Sequence, residues 1–231
     1  MCTHCGCSTI EHHHHHDEQN KIIQIEQDIL AENQRYADMN RQYLTDKNIK
    51  CYNLVSSPGA GKTTLLVETI NALKSDMRIK VIEGDQQTNR DKERIAATGA
   101  SVIQINTGKS CHLDAHHVGH AIEEINPEKN SLLFIENVGN LVCPALFDLG
   151  EKAKVVILSV TEGDDKPLKY PYMFAESSLM IINKIDLLPY VDFDVNQSID
   201  YAKQINPDIH VIKLSAKTKD GFDEWLTWVS V

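Results

Sequence analysis

What this sequence lacks narrows it before any motif is read. No apolar run approaches the roughly 20 residues that a bilayer-spanning helix needs. The N-terminus has no apolar h-region either. Neither a membrane span nor secretion is therefore expected, and the reading is a cytoplasmic protein. Lys and Arg are outnumbered, 23 against 33 Asp and Glu, for a formal charge of −10. A nucleic-acid partner, which draws on clustered basic residues, is not expected. The six Cys of such a chain read as thiols or metal ligands rather than disulfides. No internal repeat is found, and 231 residues suffice for one main domain with a generous core plus a short appendage. Apolar runs alternate with helical patterns, which predicts an α/β architecture built on a doubly wound, mostly parallel sheet.

The most informative segment is Ser56-Ser57-Pro58-Gly59-Ala60-Gly61-Lys62-Thr63-Thr64. It lies between an apolar run ending at Val55, read as a buried strand, and an expected helix running to Leu73. Backbone N–H groups from Gly59, Ala60, Gly61, Lys62, Thr63 and Thr64 would cradle phosphates at a helix N-terminus. Lys62 would neutralise the β/γ oxygens and Thr63 would reach Mg²⁺. Ser56 stands where the pattern usually has its first Gly.

Two later strand ends speak for guanine. Leu179-Met180-Ile181-Ile182 leads into Asn183-Lys184-Ile185-Asp186. Asp186 can accept from the N1 and N2 donors of guanine, whereas adenine offers its donor elsewhere. Val211-Ile212-Lys213-Leu214 leads into Ser215-Ala216-Lys217, which resembles the GTPase loop that contacts the guanine O6. Both follow the phosphate loop, each at the C-terminal end of an apolar strand where open α/β sheets bind ligands. GTP is thus favoured over ATP. Between these motifs, Ile79 to Asp85 and Leu132 to Gly139 read as strands ending in acids. Hard divalent cations take oxygen ligands, so Thr63, Asp85 and Glu136 are the expected Mg²⁺ shell. Gly139 of Glu136-Asn137-Val138-Gly139 is the expected sensor of the γ-phosphate. Lys62, Asp85, Glu136 and Gly139 form the expected catalytic set, with Asp85 as the choice for orienting water.

The chain also carries metal-binding vocabulary. Cys2, Cys5 and Cys7 fall within six residues, with only Ile10 apolar nearby. With Met1 removed, the α-amino group of Cys2 would join three thiolates in a square-planar site suited to Ni²⁺; Zn²⁺ would ask for a tetrahedron. His12, His13, His14, His15 and His16 follow and would buffer metal. Their internal position before Asp17-Glu18 favours a native run over a purification tag. A second cluster opens at Cys111-His112. His112, His116 and His120 recur every four residues, which predicts one helix face, with Cys111 at the helix start, where the dipole lowers a thiol pKa. His117 would point elsewhere. Cys143 sits four residues past Gly139, so it rides on the segment that the γ-phosphate positions. Cys111, His112 and Cys143 leave a metal site incomplete, and a two-fold dimer would complete it. Cys51, inside a strand, reads as a core thiol. Helices are expected to begin near Asn89, Leu113, Lys166, Val195 and Gly221, and Ile22, Ile25, Ile29, Ala37 and Leu44 predict a helix packing on the domain.

With these residues in hand, the chain resembles the HypB family, GTPases that help insert nickel during maturation of nickel–iron hydrogenases. The resemblance rests on Cys2, Cys5 and Cys7, on Ser57 to Thr64, on Glu83-Gly84-Asp85-Gln86-Gln87-Thr88 and on Cys111-His112-Leu113-Asp114-Ala115. It continues through Glu136 to Pro144 and Glu162-Gly163-Asp164-Asp165-Lys166-Pro167-Leu168-Lys169-Tyr170-Pro171. It implies a P-loop GTPase domain of the SIMIBI kind over residues 49–231, a metal-binding tail over 1–20, and a helix and linker over 21–48. It also implies a nickel site at Cys2, Cys5 and Cys7, and a nickel or zinc site at Cys111, His112 and Cys143, with His116 as a further candidate ligand. The partners it implies are a nickel–iron hydrogenase large-subunit precursor, accessory maturation proteins and a second copy in a GTP-dependent homodimer. Turnover is expected to be slow, with no arginine finger evident, and Lys166 is expected at the dimer interface or in solvent. The alternatives are nickel storage by the tail, or a GTPase chaperone of another metalloenzyme.

Overall fold

The computed structural model describes residues 13–85, 89–108 and 110–231, with side chains from residue 23 onward. A long helix α1 (His13–Asp46) leads into β1 (Lys50–Ser56) and α2 (Lys62–Leu73). Then come β2 (Ile79–Asp85), α3 (Arg90–Ala96), β3 (Ser101–Asn106), α4 (Ala115–Ile125), β4 (Leu132–Gly139) and α5 (Cys143–Leu146). The chain continues with β5 (Ala153–Ser159), α6 (Lys166–Lys169), α7 (Pro171–Ala175) and β6 (Leu179–Asn183). A 3₁₀ turn over Ile185–Tyr190, α8 (Val195–Ile205), β7 (His210–Lys213) and α9 (Phe222–Ser230) complete it.

The strands form one seven-stranded sheet in the order β3-β2-β4-β1-β5-β6-β7, and every pairing is parallel. The expectation of a mostly parallel sheet is thus met by a wholly parallel one. Apolar side chains cover both faces, which is why β1, β4, β5 and β6 read as continuous apolar runs rather than alternations. On one face Trp225 and Phe222 of α9 and Leu65, Leu66 and Ile70 of α2 pack on Tyr52, Phe134 and Ile181. On the other, Val118 and Ile122 of α4 and Leu44 of α1 pack on Leu133 and Ile135. The chain leaves β1 toward β2 and β3 on one side and later builds β5, β6 and β7 on the other. The C-terminal ends of β1 and β4 consequently border the crevice where such sheets bind ligands.

Helix α1 differs from expectation in two ways. It starts at His13, eight residues before residue 21, since neither Pro nor Gly interrupts 13–46. Ile25 and Ile29 are exposed, while Ala37 and Leu44 are buried, so only the C-terminal half docks. That docking is polar as well as apolar. Asn33 donates to the Asp148 carbonyl at 2.8 Å and accepts from the Ala115 N–H at 2.8 Å. Asn40 donates to the Ala115 and Leu149 carbonyls at 2.8 and 3.1 Å, and Arg41 pairs with Asp148. Gly150 lets the helix this close: its φ is +89, and a Cβ there would lie 2.6 Å from the Ala37 carbonyl oxygen and 2.8 Å from the Arg41 nitrogen. Gly150→Ala is therefore expected to lose about 2–4 kcal/mol through backbone strain and overpacking. Denaturant unfolding measures it, and a loss below about 0.5 kcal/mol would show that the contact is dispensable.

Candidate nucleotide and metal site

Residues 57–61 curl between β1 and α2, with Gly61 in the left-handed conformation (φ 96) directly before Lys62. The N–H groups of the first turn of α2 have no partner within the helix and face a cleft of about 650 Å³. Lys62 Nζ lies 3.3 Å from Glu136 Oε1, and Thr63 Oγ1 donates to the same oxygen at 2.6 Å. The other Glu136 oxygen is buried without a hydrogen-bond partner among the described residues. An acceptor-only oxygen beside a threonine hydroxyl fits a hard cation such as Mg²⁺, and Asp85 lines the same cleft from the end of β2. Gly139 ends β4 against the phosphate loop, where a Cβ would come 3.0–3.2 Å from Pro58. A side chain at 139 would push the loop away.

The base-side motif is tied to the phosphate loop. Asn183 donates to the Ala60 carbonyl at 2.9 Å and accepts from the Ala216 N–H at 3.1 Å. Lys184 Nζ donates to the Gly59 carbonyl at 2.6 Å. Asp186, half-buried, accepts from Ser215 Oγ at 2.6 Å, which fixes the carboxylate plane. Lys217 is exposed beside this group. The segments over 59–60, 183–186 and 215–216 are thus held together by these hydrogen bonds.

Three residues outside the expected set lie at the site. Glu83 is buried and lies in register with Glu136 on the neighbouring strand. Burial, then the Glu136 and Asp85 charges, push its pKa up to about 8. It sits two residues before Asp85, but its burial follows from strand pairing, which local sequence does not reveal. Lys166, expected at an interface or in solvent, donates to Ser57 Oγ of its own phosphate loop at 2.9 Å and pairs with Glu162 at 3.1 Å. Arg94 of α3 also lines the cleft, donating to Thr64 Oγ1 at 2.9 Å.

Cys111, His112 and Cys143 come together with ligand atoms within 4.8 Å of one another. Cys111 Sγ is 2.8 Å from Cys143 Sγ and 3.9 Å from His112 Nδ1. The helix expected from 111 begins only at Ala115, because Asp114 caps it by accepting from the His117 N–H at 2.9 Å. Cys111 therefore gains nothing from a helix dipole, and the hydrogen bond with Cys143 raises its pKa instead. His112 is likewise off the helix, stacked on Phe147 with centroids 3.9 Å apart. Burial lowers its pKa, which leaves a neutral ring able to ligate. His116 is not brought to this trio; it clusters with Asp114 and His117, and its Nε2 lies 3.2 Å from that of His120. His117, expected in solvent, is exposed but paired with Asp114 at 2.6 Å. Two thiols and one imidazole do fit a soft or borderline cation, with a fourth position left open among the described residues. Cys51 is buried as expected. Cys2, Cys5, Cys7 and His12 lie outside the described residues, as do Gln86, Gln87, Thr88 and Lys109.

The CobW/HypB/UreG nucleotide-binding domain family matches residues 50–213. The hydrogenase maturation factor HypB of Azotobacter chroococcum mcd 1 is 59% identical over 211 residues, covering 91% of this chain and 69% of that protein. The crystal structure of HypB from Archaeoglobus fulgidus superposes with a TM-score of 0.80 at 41% identity, covering 86% of this chain and 97% of that one. That of HypB from Helicobacter pylori in complex with nickel gives 0.81 at 37% identity, covering 86% and 93%.

Proposed function

The chain belongs to the CobW/HypB/UreG family and within it to the HypB hydrogenase maturation factors, and from that membership we propose that it is a nickel-binding GTPase. It hydrolyses GTP to GDP and phosphate and couples that cycle to nickel delivery toward a nickel–iron hydrogenase precursor. The observation that carries this reading is a shared wall. Cys111 lines the nucleotide cleft and stands 2.8 Å from Cys143, which follows the γ-phosphate side of that cleft by four residues.

In the proposed cycle, N–H groups at 59–63 and Lys62 hold the β- and γ-phosphates, and Asp186, backed by Ser215, reads guanine. Lys184 and Asn183 brace the phosphate loop through the Gly59 and Ala60 carbonyls. Thr63, Glu136 and Asp85 would hold Mg²⁺, which when bound offsets charge on the transferred phosphoryl group. Asp85 is the candidate for orienting water. Gly139 senses the γ-phosphate, and its displacement shifts Cys143. A second copy closing across the trio supplies the missing ligand; Ni²⁺ is the cargo and Zn²⁺ a competitor for the same donors. Cys2, Cys5 and Cys7 are proposed as a separate nickel site, and accessory maturation proteins as partners in transfer.

The test is to titrate nickel into the full chain with Mg-GDP and, separately, with Mg and a non-hydrolysable GTP analogue. Inner-site affinity is expected to differ between the two states by about 5- to 150-fold, the usual span of allosteric coupling. By linkage, nickel must shift nucleotide affinity by the same factor. Identical isotherms would mean two independent activities and would favour storage.

A further inference from the structure

Asn140 follows Gly139, and its side chain spans two segments that the nucleotide cycle must move together. Its Nδ2 donates to the Cys111 carbonyl at 3.2 Å, and its Oδ1 accepts from the Val142 N–H at 2.8 Å. Its own N–H returns to the Val138 carbonyl at 2.8 Å, a tight three-residue turn directly past the end of β4. It also lines the nucleotide cleft together with Gly139 and Cys111. One amide thus links the γ-phosphate side of the cleft to Cys111 and to the residue directly before Cys143.

That link has a task at the metal site. Both thiols must reach one ion, and the sulfurs of Cys111 and Cys143 are in contact here. The Asn140 amide ties together the two backbones that carry them. Resting on the nucleotide-coupled nickel reading above, we propose that Asn140 is the positioning residue that carries nucleotide state to the inner metal site. It does so by tying the backbone of Cys111 to the segment that carries Cys143. The peptide chain from Gly139 reaches only Cys143; the side-chain bond to the Cys111 carbonyl makes Cys111 move with it.

The experiment uses the chain of 231 residues with Cys2, Cys5 and Cys7 each changed to Ser, so that thiol binding in the titration comes from the inner site. Ni²⁺ and, separately, Zn²⁺ are titrated with Mg-GDP and with Mg and a non-hydrolysable GTP analogue. This is repeated in the same chain carrying Asn140→Ala or Asn140→Ser. The serine keeps a short acceptor for the Val142 N–H and loses the donor to Cys111. The parent is expected to show a ratio of affinities between nucleotide states within the usual coupling range of about 5- to 150-fold. Both variants should bind metal with unchanged stoichiometry while that ratio collapses to within about twofold, and the effect of metal on nucleotide affinity should fall in step. Variants that keep the parent ratio would overturn the role of Asn140 and leave the coupled function standing. A parent with no ratio would overturn both. A variant that misfolds shows itself as a lowered thermal midpoint with lost stoichiometry, and the other variant then decides.

Discussion

Asp186→Asn is expected to lower GTP affinity by about a thousandfold and to create a preference for xanthosine triphosphate. The carboxylate is acceptor-only, and guanine presents two donors side by side, N1–H and the 2-amino group. Ser215 Oγ donates to Asp186 Oδ1 at 2.6 Å, so the carboxylate is oriented before the base arrives. Charge-assisted bonds of this kind contribute about 1.5–3 kcal/mol each. Replacing one acceptor by an amide donor loses a bond and sets donor against donor, on the order of 4 kcal/mol together. Xanthine has a carbonyl at position 2, which the new amide can meet. Competition of GTP and xanthosine triphosphate against a fluorescent nucleotide measures both arms. A GTP affinity within about tenfold of the parent would remove Asp186 from base recognition.

The placement of Asp186 just past the end of β6 was legible because an apolar strand run and the polar motif that ends it are contiguous in the sequence. The backbone geometry that Gly61, Lys62 and Thr63 require is local, whereas the tie from Asn183 to the loop after β7 joins residues 33 apart. What was not legible depends on distant pairing. The buried acid Glu83 becomes unusual only when β2 is laid beside β4. Asn33, Asn40 and Arg41 look like ordinary polar helix residues until the loop over 148–151 folds under them. The misreading at 111–120 has a more instructive cause. Four-residue histidine spacing suggested a single helix face, but Asp114 is the better N-cap and buried Leu113 pins the preceding loop against the sheet. Capping chemistry, weighed against periodicity, would have placed Cys111 and His112 correctly in the loop.

Cys143→Ser is expected to weaken inner-site metal binding by about a thousandfold while leaving the fold and Mg-GDP affinity nearly intact. A serine hydroxyl fills most of the thiol volume but does not deprotonate near neutral pH, and thiolates are the ligands that select nickel and zinc. The pH dependence gives an independent reading. Metal binding must displace the proton of each thiol, and the hydrogen bond between Cys111 and Cys143 raises the Cys111 pKa. Below the thiol pKa values, the logarithm of affinity should therefore climb with a slope of about two per pH unit in the parent and about one in Cys143→Ser. The neutral state of His112, favoured by burial, adds no proton to this count until the pH falls below its lowered pKa. Competition titrations with a metal chelator between pH 6.5 and 8, in the chain with Cys2, Cys5 and Cys7 changed to Ser, measure both quantities. An affinity loss under tenfold with an unchanged slope would mean that Cys143 does not ligate, and the nucleotide cycle would then need another route to the metal.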